Sequence, residues 1–99
     1  MAYRRKQPKV LKDLLDEFIE DYPHRVALKR GMILATFPEQ IGTTIHEQVR
    51  DLKFQGNRLI LHVPDPSWRH EIHMQRQKIA GELNAAVKED IIREIIVKA

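Results

Sequence analysis

The chain has 99 residues, of which 42% are hydrophobic and 31% are charged, so it accommodates one compact domain and excludes a multidomain enzyme. Lys and Arg number 17 against 14 Asp and Glu, and the formal charge of +3 is too low for a dedicated nucleic-acid coat protein. The absence of cysteine excludes disulfides, thiolate nucleophiles and Cys-based metal sites. No apolar run approaches the roughly 18 residues of a membrane span, and we expect a soluble, cytoplasmic protein.

Charges at the start of the chain are segregated by sign. The first twelve residues contain five bases and no acid: Arg4, Arg5, Lys6, Lys9 and Lys12. The next nine contain five acids and no base: Asp13, Asp16, Glu17, Glu20 and Asp21. Because the basic residues at the very start have no apolar partner, we expect residues 1–7 to form a flexible basic arm. A single domain is expected over residues 8–98.

A first helix is predicted over residues 8–21. Its apolar residues recur at helical spacing: Leu11, Leu14, Leu15, Phe18, Ile19 and Tyr22. Pro8 suits a first helical turn, and Tyr22-Pro23 ends the pattern. We expect one apolar face, with the Asp and Glu side chains forming a solvated surface on the opposite side.

A second helical region is predicted over residues 24–46. Its apolar stripe is looser than that of the first helix and is interrupted at Gly31 and Pro38. One kinked helix and two short helices both account for this pattern.

A β-hairpin follows, because the hydrophobic period changes from helical spacing to two. Leu52 and Phe54 alternate with charged residues before Gly56-Asn57, and Leu59 and Leu61 alternate with other residues after it. A two-residue turn at Gly56-Asn57 pairs Leu52 with Leu61 and Phe54 with Leu59. This register places the large apolar side chains on one face of the hairpin.

A long helix is predicted over residues 66–87. Asp65 supplies an acid that can cap its start, and Pro66 suits its first turn. An apolar stripe at helical spacing follows, although Gln75 and Arg76 interrupt it.

The closing segment, residues 91–98, is rich in β-branched side chains and predicts a strand whose Ile95 and Val97 face the core of the hairpin. The predicted order is therefore α-α-β-β-α-β. A right-handed crossover through the long helix gives an α+β fold with a three-stranded mixed sheet and the helices packed on one face. The opposite face is expected to remain open and to carry Asp51, Lys53, Arg58, Ile60 and His62.

The sequence offers no recognisable catalytic or metal-binding motif. His70 and His73 are three residues apart, whereas a metalloprotease helix requires two histidines four apart. The four glycines are isolated, and none begins a helix after a strand as in a phosphate-binding loop. Ser67 and Thr43 have no activating neighbours in the sequence. We therefore expect no catalytic residue, no metal site and no cofactor.

Candidate binding residues lie around the hairpin and the start of the following helix. Trp68, the only tryptophan, suits the core, but its place beside arginines also suits stacking on a base or anchoring a partner. The basic side chains are either solvated surface charges or phosphate contacts. The candidate partner contact is Trp68, and the candidate nucleic-acid contacts are Arg4, Arg5, Lys6, Lys9, Lys53, Arg58, Arg69 and Arg76.

Several segments, taken in order, resemble a known family. They are Phe37 to Gly42 (FPEQIG), Asn57 to Val63 (NRLILHV), Asp65 to Ile72 (DPSWRHEI), Leu83-Asn84 and the closing strand. In order and spacing they are similar to the DciA family of bacteria, formerly described as a domain of unknown function, over about residues 10–98. Phe37 stands where that family commonly has tryptophan, and the chain lacks the long extension of many relatives.

The resemblance implies a fold similar to the KH domain and a non-enzymatic role in DNA replication, in which the domain binds the replicative helicase and assists its loading or activity. It brings no catalytic residues. The chain lacks the Gly-x-x-Gly loop of true KH domains, which disfavours sequence-specific RNA binding by that route. We expect weak, sequence-independent binding to DNA in single-stranded form.

Two other functions stay open at this point. One is a general RNA- or single-strand-binding KH-like module without a helicase partner, and the other is an enzyme. The sequence does not decide whether the domain self-associates, although an exposed strand edge would allow it.

Overall fold

The structure is a computed structural model that describes residues 8–99, with side chains from Leu14 onward. The expected arm, with Arg4, Arg5 and Lys6, lies outside the described residues, as does the side chain of Lys9. The described range contains the elements α1 (Pro8–Asp21), α2 (Arg25–Ile41), α3 (Thr43–Gln48), β1 (Asp51–Gln55), β2 (Arg58–His62), α4 (Pro66–Met74), α5 (Arg76–Val87) and β3 (Glu94–Lys98). None of these helices is long and apolar enough to span a membrane.

The three strands form one mixed sheet in the order β1-β2-β3. β1 and β2 are antiparallel, and Leu52 pairs with Leu61 and Phe54 with Leu59, so the predicted hairpin register is confirmed. Gly56 has φ +63° in the turn, a left-handed conformation that glycine adopts without steric cost. β3 returns parallel to β2, because α4 and α5 form the crossover between them.

The core lies on one face of the sheet. Leu59 and Leu61 of β2 and Ile95 of β3 meet buried side chains from the three helices α2, α4 and α5 and from segments that flank the strands. The buried partners include Ile33, Phe37, Ile72, Ile79, Leu83 and Val87. The predicted α+β class and the order α-α-β-β-α-β are confirmed, with the second and third predicted helices each divided in two. Val97 also packs against this core, as the closing strand predicts.

The opposite face of the sheet is less open than expected at its centre. Ile60 is only 1% exposed, although it points away from the main core. It is directly opposite Lys53 on β1 and Ile96 on β3, and such cross-strand neighbours lie close enough to shield it from water. The expectation of an open face therefore holds for Lys53 and Arg58, which are exposed, and is wrong for Ile60.

The second helical region is two helices rather than one kinked helix. α2 runs through both Gly31 and Pro38 and ends at Gly42, which has φ +102°. The amide of Gly42 donates to the carbonyl oxygen of Pro38 at 3.0 Å, which closes the last turn. Because few residues other than glycine tolerate this backbone conformation, Gly42 sets the boundary between α2 and α3.

The expectation of one long helix over residues 66–87 is wrong, because the helix breaks at Gln75. The backbone there has φ −96° and ψ 7°, outside the usual helical range. The Arg76 guanidinium stabilises the break, since its Nη1 donates to the backbone oxygen of His73 at 2.8 Å. The two residues that interrupt the apolar stripe in the sequence are thus the residues at which the helix divides.

Helix α1 forms over the predicted residues, but its two sides are reversed relative to the expectation. Leu14, Leu15 and Phe18 are 58%, 53% and 66% exposed. Acidic side chains face the body of the protein instead: Glu20 binds Lys29 at 2.6 Å, and Asp16 forms an ion pair with Lys88. The helix therefore docks through ion pairs and Ile19, while Leu14, Leu15 and Phe18 of its apolar stripe face solvent.

Candidate functional site

The candidate nucleic-acid residues separate into two groups in the structure. Lys53 and Arg58 lie on the outer face of the hairpin, where Lys53 pairs with Ile60 and Arg58 is two residues away on the same strand. Diagonal neighbours of this kind have Cα atoms about 7–8 Å apart. The hairpin thus brings these two cations together on an exposed face.

Arg58 already has an anionic partner. Its Nε lies 3.0 Å from Oε1 of Glu94 on β3, and the two side chains are 54% and 56% exposed. Ion pairs this exposed contribute little stability and exchange readily with other anions. A phosphate group can therefore compete with Glu94 for the Arg58 guanidinium.

Arg69 is engaged by the protein backbone. Its Nη1 donates to the carbonyl oxygens of Val63 and Pro64 at 2.9 and 3.0 Å, which fastens the segment between β2 and α4. The side chain is half-buried. Its first role is therefore structural, although the remaining guanidinium donors keep their positive charge.

Arg76 lies next to the groove that Arg69 lines, because it contacts His73. The open groove has a volume of about 280 Å³ and is lined by Pro66, Arg69, His70, His73 and Val97. Arg76 Nη1 lies 3.2 Å from Nε2 of His73, one of the lining residues. The structure therefore gathers Arg69 and Arg76 around α4 and places Lys53 and Arg58 on the hairpin.

No group of three or more His, Cys, Asp or Glu side chains in the described part of the chain is arranged to hold a metal ion. His70 and His73 line the same groove, but the Nε2 atom of His73 is within hydrogen-bond distance of the Arg76 guanidinium. A metal ion at that nitrogen would have to displace a cation, which is electrostatically unfavourable.

Trp68 lies at the edge of the core. It is half-buried and packs against the core cluster, in the first turn of α4. That turn is fixed by Asp65, whose Oδ1 accepts hydrogen bonds from the amides of Ser67 at 2.8 Å and Trp68 at 3.4 Å. The predicted cap is confirmed, and Trp68 in the capped turn keeps part of its surface exposed to solvent.

A charged cluster that the hydrophobic pattern does not predict joins α1, α2 and the turn after α5. Lys29 is 2% exposed, and its Nζ lies 2.6 Å from Glu20 and 3.0 Å from Glu89. Arg25 binds the same Glu89 carboxylate through two hydrogen bonds, at 3.0 and 3.2 Å. One signal was present in the sequence: Lys29 occupies a position between Val26 and Ile33 on the buried stripe of α2.

The ion pairs shift the pKa values of the cluster. Hydrogen bonds from Arg25 and then from Lys29 hold the pKa of Glu89 below its ordinary value, because they favour the carboxylate. Desolvation of Lys29 acts to lower its pKa, but its hydrogen bonds to Glu20 and Glu89 outweigh that effect and raise it. Both groups are therefore charged at neutral pH.

Comparison with known families assigns the domain. The model of the family described as "Dna[CI] antecedent, DciA" matches residues 10–97, which include most of α1, the elements from α2 to α5 and β3 up to Val97. The chain belongs to the DciA family. No curated protein and no solved structure matches it.

The residues that mark this DciA domain in the sequence have mainly structural positions. Phe37 is fully buried in the core. Asn84 is 9% exposed and forms two hydrogen bonds to the backbone of Ile92. Phe37 and Asn84 therefore stabilise the fold. The exposed basic residues occupy different positions, on the surface.

Proposed function

We propose that this DciA domain is a non-enzymatic adaptor of bacterial DNA replication that binds the replicative helicase and assists its loading or activity. The family match over residues 10–97 carries the proposal, because DciA is a family of replication adaptors associated with helicase loading. We place this activity in the cytoplasm, with the basic arm of residues 1–7 preceding the folded domain.

The domain also binds nucleic acid weakly and without sequence preference. Lys53 and Arg58 supply phosphate contacts on the hairpin, and Arg69 and Arg76 add positive charge beside α4. Phosphate contacts carry no base information, so the affinity falls as the salt concentration rises. Single-stranded DNA is the proposed ligand, since loading a helicase involves an opened duplex.

A binding assay with the purified replicative helicase of the source bacterium tests the adaptor function. We expect the domain to retain the helicase after nuclease treatment and in the absence of DNA. A general RNA- or single-strand-binding module would lose the helicase once nucleic acid is digested, and that result would overturn the adaptor proposal.

The nucleic-acid contact is tested separately with two matched variants. Lys53→Glu and Lys78→Glu make the same charge change at exposed lysines, one on the hairpin and one on α5. We expect Lys53→Glu to weaken binding to single-stranded DNA severalfold more than Lys78→Glu. Equal losses would mean that net charge alone, rather than the hairpin surface, determines the affinity.

A further inference from the structure

The outer strands of the sheet, β1 and β3, each have one edge that pairs with no other described strand. On β3 the direction of the backbone groups is fixed by one bond, in which the amide of Val63 donates to the carbonyl oxygen of Lys98 at 2.7 Å. The backbone groups of Lys98 therefore face β2. Because these groups alternate in direction along a strand, those of Ile96 also face β2, whereas those of Ile95 and Val97 point to the open edge.

The open edge of β3 is apolar in its middle. Ile96 and Val97 are large hydrophobic residues, yet both remain partly exposed. Val97 also lines the open groove of about 280 Å³ beside α4, so the helix layer leaves this part of the strand uncovered. A strand edge of this kind is a template on which a further strand can pair.

The sequence of β3, EIIVK over Glu94–Lys98, is complementary to itself when it is reversed. An antiparallel pair centred on Ile96 places that residue opposite its own counterpart. On the core side of the sheet, Ile95 then lies opposite Val97. On the outer side, Glu94 lies opposite Lys98, and both charged side chains are exposed. Opposite charges and apolar side chains that face each other directly stabilise such a pair of strands.

The backbone of β3 fits the same register. Ile95 and Val97 have their backbone groups on the open edge, so each exchanges two hydrogen bonds with the other residue of the second strand. Glu94 and Lys98 then form a non-hydrogen-bonded pair, in which side chains lie closest. Shifting the register by two residues keeps the hydrogen bonds possible, but it places a charged side chain opposite Ile96. The charges therefore select the register centred on Ile96.

The edge of β1 lacks this complementarity. Pairing all five residues of Asp51–Gln55 with a reversed copy places Lys53 opposite the same lysine of the other strand. Like charges directly opposite each other destabilise a strand pair, and a lysine in an edge strand is a common protection against edge pairing. Of the two open edges, the edge of β3 is therefore the one that fits a second copy.

We infer that β3 pairs antiparallel with β3 of a second copy of this chain, which joins the two sheets into one six-stranded sheet. The two-fold axis passes beside Ile96, and the interface is self-complementary, as a two-fold dimer requires. An interface one strand long gives a weak dimer, with a dissociation constant on the order of micromolar or above. This property is independent of helicase binding.

Sedimentation of the full chain over about 10–500 µM tests the dimer. We expect dimerisation to increase with concentration and Lys98→Glu to weaken it at least tenfold, because two acids then face each other at both ends of the interface. Lys78→Glu is the matched control, since it makes the same charge change at an exposed lysine on α5. Circular dichroism checks that each variant is folded. A wild-type chain that stays monomeric throughout, or equal effects of the two variants, would overturn the inference.

An exchange of charges tests the predicted register. Glu94→Lys alone places two lysines opposite each other and should also weaken the dimer at least tenfold. The double variant Glu94→Lys/Lys98→Glu restores opposite charges at both ends and should recover most of the wild-type dimerisation, although it loses the contact between Arg58 and Glu94. A double variant that dimerises as poorly as the single variants would contradict the pairing of Glu94 with Lys98.

Cross-linking locates the two-fold axis, and the absence of cysteine from the chain leaves no competing thiol. Non-hydrogen-bonded partners have Cα atoms about 4.5 Å apart, within the range of a disulfide, so Ile96→Cys should form a disulfide dimer on mild oxidation. Glu94→Cys is the matched control, because its two copies lie four residues apart along the strands, about 14 Å, which no disulfide spans.

Two results would overturn the pairing of β3 with itself. Cross-linking of Glu94→Cys as readily as Ile96→Cys would exclude the register centred on Ile96. If the wild-type chain is monomeric and Lys98→Glu instead abolishes its binding to the helicase, the edge of β3 serves the helicase and the self-association inference is wrong. Loss of helicase binding by every variant and by the wild type would contradict the adaptor proposal alone, because sedimentation measures the dimer without the helicase.

Discussion

Asn84 and Ile92 form a closed pair of hydrogen bonds across the turn between α5 and β3. The Asn84 Nδ2 donates to the backbone oxygen of Ile92 at 3.0 Å, and its Oδ1 accepts from the Ile92 amide at 2.8 Å. Both groups are buried, so no solvent replaces these bonds. The Asn84 amide therefore satisfies both backbone hydrogen-bonding groups of Ile92, as a neighbouring strand would. These two bonds fix the position of the turn that leads into β3.

Asn84→Ala should destabilise the domain by about 3 kcal/mol, because it leaves a buried amide and a buried carbonyl of Ile92 without partners. Urea denaturation measures the change. Ala85→Ser is the matched control on an exposed position of the same helix, and it should shift stability by less than about 0.5 kcal/mol. Equal stability of Asn84→Ala and the wild type would show that water or another group satisfies Ile92.

The Lys29 and Glu89 ion pair predicts a stability plateau bounded on both sides. The folded pKa of Glu89 is lowered, so its contribution is present above the unfolded value of 4.5 and is lost as the pH falls through the folded pKa. The folded pKa of Lys29 is raised, so its contribution is present below the unfolded value of 10.5 and is lost as the pH rises through the folded pKa. Thermal unfolding followed from acid to alkaline pH measures both limits.

Lys29→Met separates these two limits. The substitution removes the titrating ammonium but keeps most of the buried side chain, so the alkaline loss of stability attributable to Lys29 should disappear. The acid loss should persist in reduced form, because Arg25 still binds Glu89. At neutral pH we expect a net loss of about 2 kcal/mol, less than for a fully buried pair, since Glu89 keeps a partner and Glu20 is half exposed. An unchanged alkaline limit would contradict the role of Lys29.

Features determined by neighbouring residues could be predicted from the sequence. The hairpin register follows from Gly56-Asn57 and the alternation around it, and the start of α4 follows from Asp65 and Pro66. These interactions span only a few residues, so local turn and cap chemistry determines them. The candidate cations Lys53 and Arg58 come together for the same reason.

Features determined by distant residues could not be predicted. Lys29 and Glu89 are 60 positions apart, and Asp16 and Lys88 are 72 apart. Hydrophobic periodicity contains no information about these ion pairs. Taken alone, it therefore predicts that the apolar side of α1 is buried. The structural engagement of Arg69 was likewise hidden, since its acceptors are backbone oxygens that any residue provides.

Trp68→Ala should destabilise the domain by roughly 2–3 kcal/mol, below the value for a fully buried tryptophan, because the side chain packs on the core but stays half-buried. Trp68 is the only tryptophan, so its fluorescence reports on this position directly. We expect intermediate emission, partial quenching by iodide, and a spectral change when helicase or single-stranded DNA is added. Emission that is fully blue-shifted, unquenched and unaffected by either ligand would remove Trp68 from the binding surface.

Arg69 provides a last test, because the structure distinguishes its backbone contacts from its charge. Arg69→Met removes the donors to Val63 and Pro64 and should cost about 1–2 kcal/mol in urea denaturation. Arg69→Lys keeps the positive charge but lacks the planar guanidinium, so it should recover only part of that stability. Affinity for single-stranded DNA should follow the charge instead, and Arg69→Lys should bind like the wild type while Arg69→Met binds more weakly. If Arg69→Lys has wild-type stability but loses DNA affinity, the guanidinium contacts the nucleic acid directly and its bonds to the two carbonyls are secondary.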